Sequence, residues 1–171
     1  ARLETLAHIA ALRRQATEDP LTGLGNRAAF NEALDAWQRQ RIVGAVAVFD
    51  VDDFKRVNDT FGHLEGDDVL SHLADAFRTV VRPGDGVFRL GGDEFAVLLP
   101  HATGDEARGV GDRLQLAAAA VLASKRAGIS VGVATVGVGR TIEEALRDAD
   151  RHLYEAKRAR AEFTSPQHPR H

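Results

Sequence analysis

Two short acidic stretches hold the residues best suited to chemistry. "FDVDDF" closes an apolar run with Asp50, Asp52 and Asp53, and "RLGGDEF" presents Asp93 and Glu94 directly behind Gly91 and Gly92. Carboxylates brought together where water is scarce repel one another and raise each other's pKa unless a cation joins them. Mg²⁺ is the natural cation: it takes hard oxygen ligands and few protein carboxylates, and completes its octahedron with water and substrate phosphates. The two glycines remove side chains where a large ligand would approach the backbone, and they permit the positive φ of a tight hairpin turn. The acids and glycines together read as the floor of a nucleoside triphosphate site. The plainer reading of the motif by itself is a good turn followed by two solvated acids.

The elements that must position these acids alternate between helical and strand periods, the pattern of a mixed α/β domain. "VGAVAVFDVDDF" is an apolar run of strand length ending in acids, as a central strand does when its C-terminal end opens on a site. "VFRL" and "EFAVLLP" form a hairpin about the glycine pair, and "ISVGVATV" is a further strand. Helices are predicted after "DPLTGLGNR", where Phe30, Leu34 and Trp37 fall at i, i+4, i+7, and over "VLSHLADAFRTVV", about 104–124 and about 141–160. "VNDTFGHLEGDD" reads as turn-rich, and "FTSPQHPRH" as a disordered tail. At the N-terminus Leu3, Leu6, Ile9 and Leu12 repeat at a three-residue step, a lone helix. It either pairs with another copy, continues an upstream coiled coil, or packs on its own domain. The organisation expected is a helical stem over 1–18, a domain over 19–161 and a tail over 162–171.

Composition narrows the function classes. At 171 residues with 44% hydrophobic content, the chain suits one domain with a sizeable core. A net charge of −3 offers no basic field for a nucleic-acid polymer. The absence of cysteine excludes disulfides and thiolate zinc sites, and the seven histidines are scattered. No run approaches the roughly 20 apolar residues of a membrane span, there is no signal-peptide pattern, and no G-x-x-x-x-G-K-[ST] occurs. A soluble domain without membrane contact of its own is expected. The chain lacks an initiator methionine, which suggests a fragment whose upstream part could hold a sensor or a membrane anchor.

"RLGGDEF" resembles the signature of the GGDEF domain family, the diguanylate cyclases. The likeness runs in order from Asp19 to about Arg160 through "DPLTGLGNR", "FDVDDFKRVNDTFGHLEGDDVL", "RPGDGVFRLGGDEF", "ISVGVA" and "DADRHLYEAKR". It implies an α+β fold like the palm of nucleotidyl cyclases and polymerases, with a five-stranded, mostly antiparallel sheet wrapped by helices. It also implies condensation of two GTP into cyclic di-GMP and two pyrophosphates. Each protomer of a homodimer would present one GTP, the N-terminal helix would serve as a dimerising stem under an upstream sensor, and the domain would be cytoplasmic.

Residue by residue, the resemblance makes Asp50, Asp93 and the carbonyl of Val51 ligands of two Mg²⁺ ions, with Mn²⁺ as a possible substitute. Asp93 is also the candidate general base, and Glu94 orients the loop or accepts a bond from the second nucleotide. Lys55 and the amides of Phe54 and Lys55 would meet the phosphates at a helix start, and Gly91 and Gly92 would underlie the nucleotide. Asn58 and Asp67 match the positions that read guanine. Lys157 matches a lysine for the β- and γ-phosphates. Here the pattern departs: Ala161 stands where relatives carry a phosphate arginine, Arg160 lies one residue early, and Ala28 replaces an arginine often found after "NR".

"RPGD", with Asp85 six residues ahead of Gly91, matches the family's RxxD inhibitory site. Arg82 and Asp85 would bind the product dinucleotide, assisted by Arg113 on the following helix. Read locally, Pro-Gly makes a turn that an Arg–Asp pair can close. Two other classes stand beside the cyclase: a catalytically inactive GGDEF receptor that binds cyclic di-GMP or GTP, and a plain interaction module. Intact Asp50, Asp93, Asn58 and Asp67 favour the cyclase over the receptor, and a rise in melting temperature with guanine nucleotide in Mg²⁺ would set it apart from the module.

Overall fold

The computed structural model describes residues 2–164. Strand β1 (Gly44–Val51) is buried along its whole length, because both faces of the sheet are covered by helices. It pairs antiparallel with β3 (Glu94–Pro100) on one side and β4 (Ile129–Val136) on the other, and β2 (Gly86–Gly91) flanks β3. The order is β2-β3-β1-β4.

Among the described residues the sheet has four strands, where the resemblance implied five. The strand-like periods of the sequence also numbered four. At the β2 edge, Gly25 makes only a single bridge to Phe88, with Arg89 N donating to Gly25 O at 2.8 Å, before Asn26 caps the next helix. One bridge does not extend the ladder.

The helices are α1 (Arg2–Thr17), α2 (Arg27–Gln40), α3 (Phe54–Phe61), α4 (His63–Val80), α5 (Gly104–Leu122) and α6 (Ile142–Thr164), with a 3₁₀ turn at Ala123–Lys125. Helices α4 and α5 cover one face, where Phe49 stacks on Phe95 at 5.6 Å and meets the edge of Phe77 at 4.8 Å. Helices α2 and α6 cover the other, around Phe30, Trp37, Val46, Val48 and Phe88.

Two expectations need correction. "VNDTFGHLEGDD" is helical on both sides of Gly62. Val57 sinks into the core and carries α3 with it, so packing overrides the turn preference of Asn, Asp and Gly. Helix α6 runs on to Thr164, past the expected tail start at residue 162, and residues 165–171 lie outside the described ones. The N-terminal helix α1 buries none of its side chains: Leu3, Leu6, Ile9 and Leu12 are 83, 57, 55 and 52% exposed. Its apolar row is not covered by this domain. No helix among the described residues is long and apolar enough to cross a membrane.

Candidate active site

Strand register brings the two acidic stretches together. Asp50 lies opposite Glu94 on β3 and Ser130 on β4, so Asp93 stands beside the C-terminal end of β1. Gly91 and Gly92 turn the hairpin at φ +145 and +50, values that favour glycine, and a methyl group on either would meet nothing within 4 Å. Open space above the turn is what a bulky ligand needs.

Asp50 is almost fully buried, and its Oδ2 is in contact with the Lys157 ammonium from α6. Its Oδ1 is buried without a hydrogen-bond partner. Asp52 accepts from Ser130 Oγ at 2.5 Å through Oδ1, while its buried Oδ2 has only the Arg160 guanidinium, 3.2 Å away. Burial raises the pKa of Asp50 against the pull of Lys157, and the charges of Asp93 and Asp52 push it further up. Burial likewise raises Asp93, and neighbouring Glu94 adds to this. Burial alone would lower Lys157, yet its bond to Asp50 and the surrounding carboxylates hold its pKa above the ordinary value.

This donor set suits Mg²⁺. Among the described residues no three His, Asp or Glu side chains gather into a self-sufficient metal cluster. Two carboxylates and a strand-end carbonyl would leave several coordination positions for water and phosphates. The orphaned Oδ1 of Asp50 is the kind of buried acceptor that a cation satisfies.

The sequence reading gave no role to the residues that fix the hairpin tip. Arg89 donates from Nε and Nη2 to Gly92 O, at 2.9 and 2.8 Å, and from Nη1 to both oxygens of Asp19, at 3.0 and 3.1 Å. Asp19 Oδ2 in turn accepts from the Thr22 amide at 2.9 Å and the Thr22 hydroxyl at 2.7 Å. Arg27 donates to Leu90 O at 3.0 Å and to Glu94 at 3.4 Å, so exposed Glu94 is held by an ion pair at the turn. The signal for both contacts was present in "DPLTGLGNR" and the arginine of "RLGGDEF", but nothing local to either stretch shows that they meet.

These bonds outweigh burial and lower the pKa of Asp19 below its ordinary value. A carboxyl with a depressed folded-state pKa contributes stability above its unfolded pKa, and that stability is lost as pH falls through the folded value. Asp19→Ala removes the acceptor of the Thr22 and Arg89 hydrogen bonds and should cost about 2 kcal/mol at pH 7. The gap from the parent protein in urea midpoint should narrow as pH falls below about 4.

Of the other predicted residues, Lys55 is exposed at the start of α3, Asn58 is half-buried on α3, and Asp67 is exposed in the first turns of α4. Lys157 and Arg160 both reach the strand ends from α6, but Arg160 is engaged by Asp52 and by Ile129 O at 2.8 Å. On the opposite side of the domain, Arg82, Asp85 and Arg113 line one cavity of about 220 Å³. Arg82 bonds Asp85 at 3.3 Å and Pro100 O at 2.9 Å.

The sequence pattern described as "Diguanylate cyclase, GGDEF domain" matches residues 16–162. The chain belongs to the GGDEF domain family. It is 41% identical over 162 residues to the diguanylate cyclase DgcP of Pseudomonas aeruginosa, covering 90% of this chain and 24% of that protein. It is also 38% identical over 171 residues to the cyclic di-GMP phosphodiesterase NbdA of the same organism, covering 92% of this chain and 22% of NbdA. The chain thus spans under a quarter of each of these two relatives. Among solved structures it resembles the coiled coil and GGDEF domain of DgcB from Caulobacter crescentus in complex with c-di-GMP. That match has a TM-score of 0.80 at 30% identity, over 92% of this chain and 90% of that one. The antiparallel palm-like fold with an N-terminal helix is that of the family.

Proposed function

We propose that this domain is a diguanylate cyclase, condensing two GTP molecules into cyclic di-GMP with release of two pyrophosphates. The observation that carries the reading is the buried, unpartnered Oδ1 of Asp50 beside Asp93, below an open glycine turn. Asp50, Asp93 and the Val51 carbonyl would hold Mg²⁺, which would draw charge from the triphosphate and polarise its α-phosphorus. Asp93 accepts the proton of the attacking 3′-hydroxyl. Asn58 and Asp67 read guanine, Asp67 by accepting from N1–H and N2–H₂ together. Lys55 and the first amides of α3 receive phosphate. Lys157 exchanges Asp50 for the β- and γ-phosphates, and Arg160 joins it by leaving Asp52. Glu94, tied to Arg27, keeps the hairpin tip in place.

Each ring closure joins the 3′-oxygen of one GTP to the α-phosphorus of the other, so two domains must face each other. The uncovered leucine and isoleucine row of α1 supports a homodimeric stem. The domain would act in the cytoplasm under an upstream sensor.

Purified protein incubated with GTP and Mg²⁺, then resolved by chromatography, tests this reading. Cyclic di-GMP formed at a rate per protomer that rises with protein concentration supports it. Absence of product at every concentration, with GTP or cyclic di-GMP still bound, transfers the assignment to a receptor. The shared cavity of Arg82, Asp85 and Arg113 supports feedback inhibition by the product. Arg82→Ala should raise the concentration of cyclic di-GMP needed for half-inhibition by roughly tenfold or more, the loss of a charge-assisted fork. Its initial rate should match the parent.

A further inference from the structure

The corner that carries Asn58 and Asp67 has little of its own to hold it. Helix α3 is eight residues long with one buried side chain, Val57, and Phe61, Gly62, His63 and Leu64 at the junction with α4 are exposed. The two helices meet at Gly62, at φ +91, a backbone hinge without a side chain. A fixed base-reading site needs a brace there.

The brace comes from the turn after α5. Lys125 is only 12% exposed. Its ammonium is in contact with the Glu65 carboxylate on α4 and lies 4.3 Å from the centre of the Phe61 ring on α3. One side chain therefore touches both helices of the corner. From α3, Arg56 donates back to Lys125 O at 3.2 Å and Arg126 O at 2.9 Å, fixing the backbone from which Lys125 projects. Glu65 precedes Gly66, which packs so closely on Asn58 that a methyl group there would come within 1.9 Å of Asn58 Oδ1. Lys125 thus holds Glu65 next to the glycine against which the Asn58 amide lies.

The geometry points to Lys125 as a positioning residue for base selection: it clamps α3 to α4, keeps Asn58 and Asp67 in register, and so sets preference for the guanine base without touching the nucleotide. This rests on the reading of Asn58 and Asp67 given above. The base that discriminates is hypoxanthine, which keeps N1–H but lacks the N2 amine. A correctly placed Asp67 then loses one of its two donors, whereas a displaced one makes neither bond well.

The test uses 3′-deoxy-GTP and 3′-deoxy-ITP, which lack the attacking hydroxyl and report binding in Mg²⁺ without turnover. Lys125→Met keeps the aliphatic stem and removes the charge, and Lys125→Arg keeps the charge. Lys125→Met should weaken 3′-deoxy-GTP about tenfold and compress its advantage over 3′-deoxy-ITP, while Lys125→Arg stays within about twofold of the parent. Equal weakening of both nucleotides, or an unchanged ratio, would overturn the positioning role. Asp67→Ala is measured alongside. A ratio unchanged there would remove the base-reading role itself, and the clamp with it, whereas a ratio lost only in Asp67→Ala counts against Lys125 alone.

Discussion

Asp93→Asn should reduce cyclic di-GMP formation by roughly 10³-fold or more, because in the proposed mechanism it removes a metal-binding charge and the proton acceptor together. The fold should not suffer. Burial and the charge of Glu94 already raise the pKa of Asp93, so in the cation-free protein its ionisation opposes folding. For a carboxyl the sign is direct: a folded-state pKa above the unfolded value means the native state holds the proton longer, and stability falls as pH rises through that window. Asparagine abolishes this penalty. The variant in EDTA at pH 7 should melt at or above the parent temperature, while added Mg²⁺ and 3′-deoxy-GTP should raise its melting temperature less than the parent's. Parental turnover in Asp93→Asn would overturn the assignment of the reacting site. A large fall in melting temperature in EDTA would instead mean that Asp93 is a structural anchor.

Gly132→Ala should be the most damaging single methyl group in the sheet. Gly132 pairs with Val48 in β1 and faces α6, whose backbone lies directly on it. A Cβ there would come within 2.0 Å of Ala149 O and 2.4 Å of Leu153 N, and neither is a side chain that could swing away. The helix would have to lift from the strand. It is also tied to the β4 edge by a 2.7 Å contact of His152 Nδ1 with Val133 O and by Arg160 Nη1 donating to Ile129 O, so the strain cannot be relieved locally. Overpacking of this kind costs about 3 kcal/mol, which for a domain of this size lowers the melting temperature by roughly 6–12 °C. Lys157 and Arg160 travel with α6, so GTP binding should weaken as well. An unaltered melting temperature would mean that α6 does not seat on Gly132.

The sequence by itself determined the strands and the two acidic stretches at their ends. The apolar run ending at Asp50 read as a central strand, since exposing it would cost too much, and β1 is central in the sheet; the carboxylates at its end read as a place for a cation. The Gly91-Gly92 turn was equally plain, because few other residues accept those φ values. RxxD was legible as a motif, and in the fold Arg82, Asp85 and Arg113 line one cavity.

Only the tertiary structure decided what holds these pieces in place. The helical state of "VNDTFGHLEGDD" depends on Val57 entering the core, a contact that turn propensities do not report. The clasp of Arg89 on Asp19 joins residues 70 positions apart, and the Lys125–Glu65 contact joins residues 60 apart. Local sequence records composition and period, which act over a few residues. Ion pairs and close backbone approaches such as Gly132 against Ala149 exist only once distant segments have been packed together.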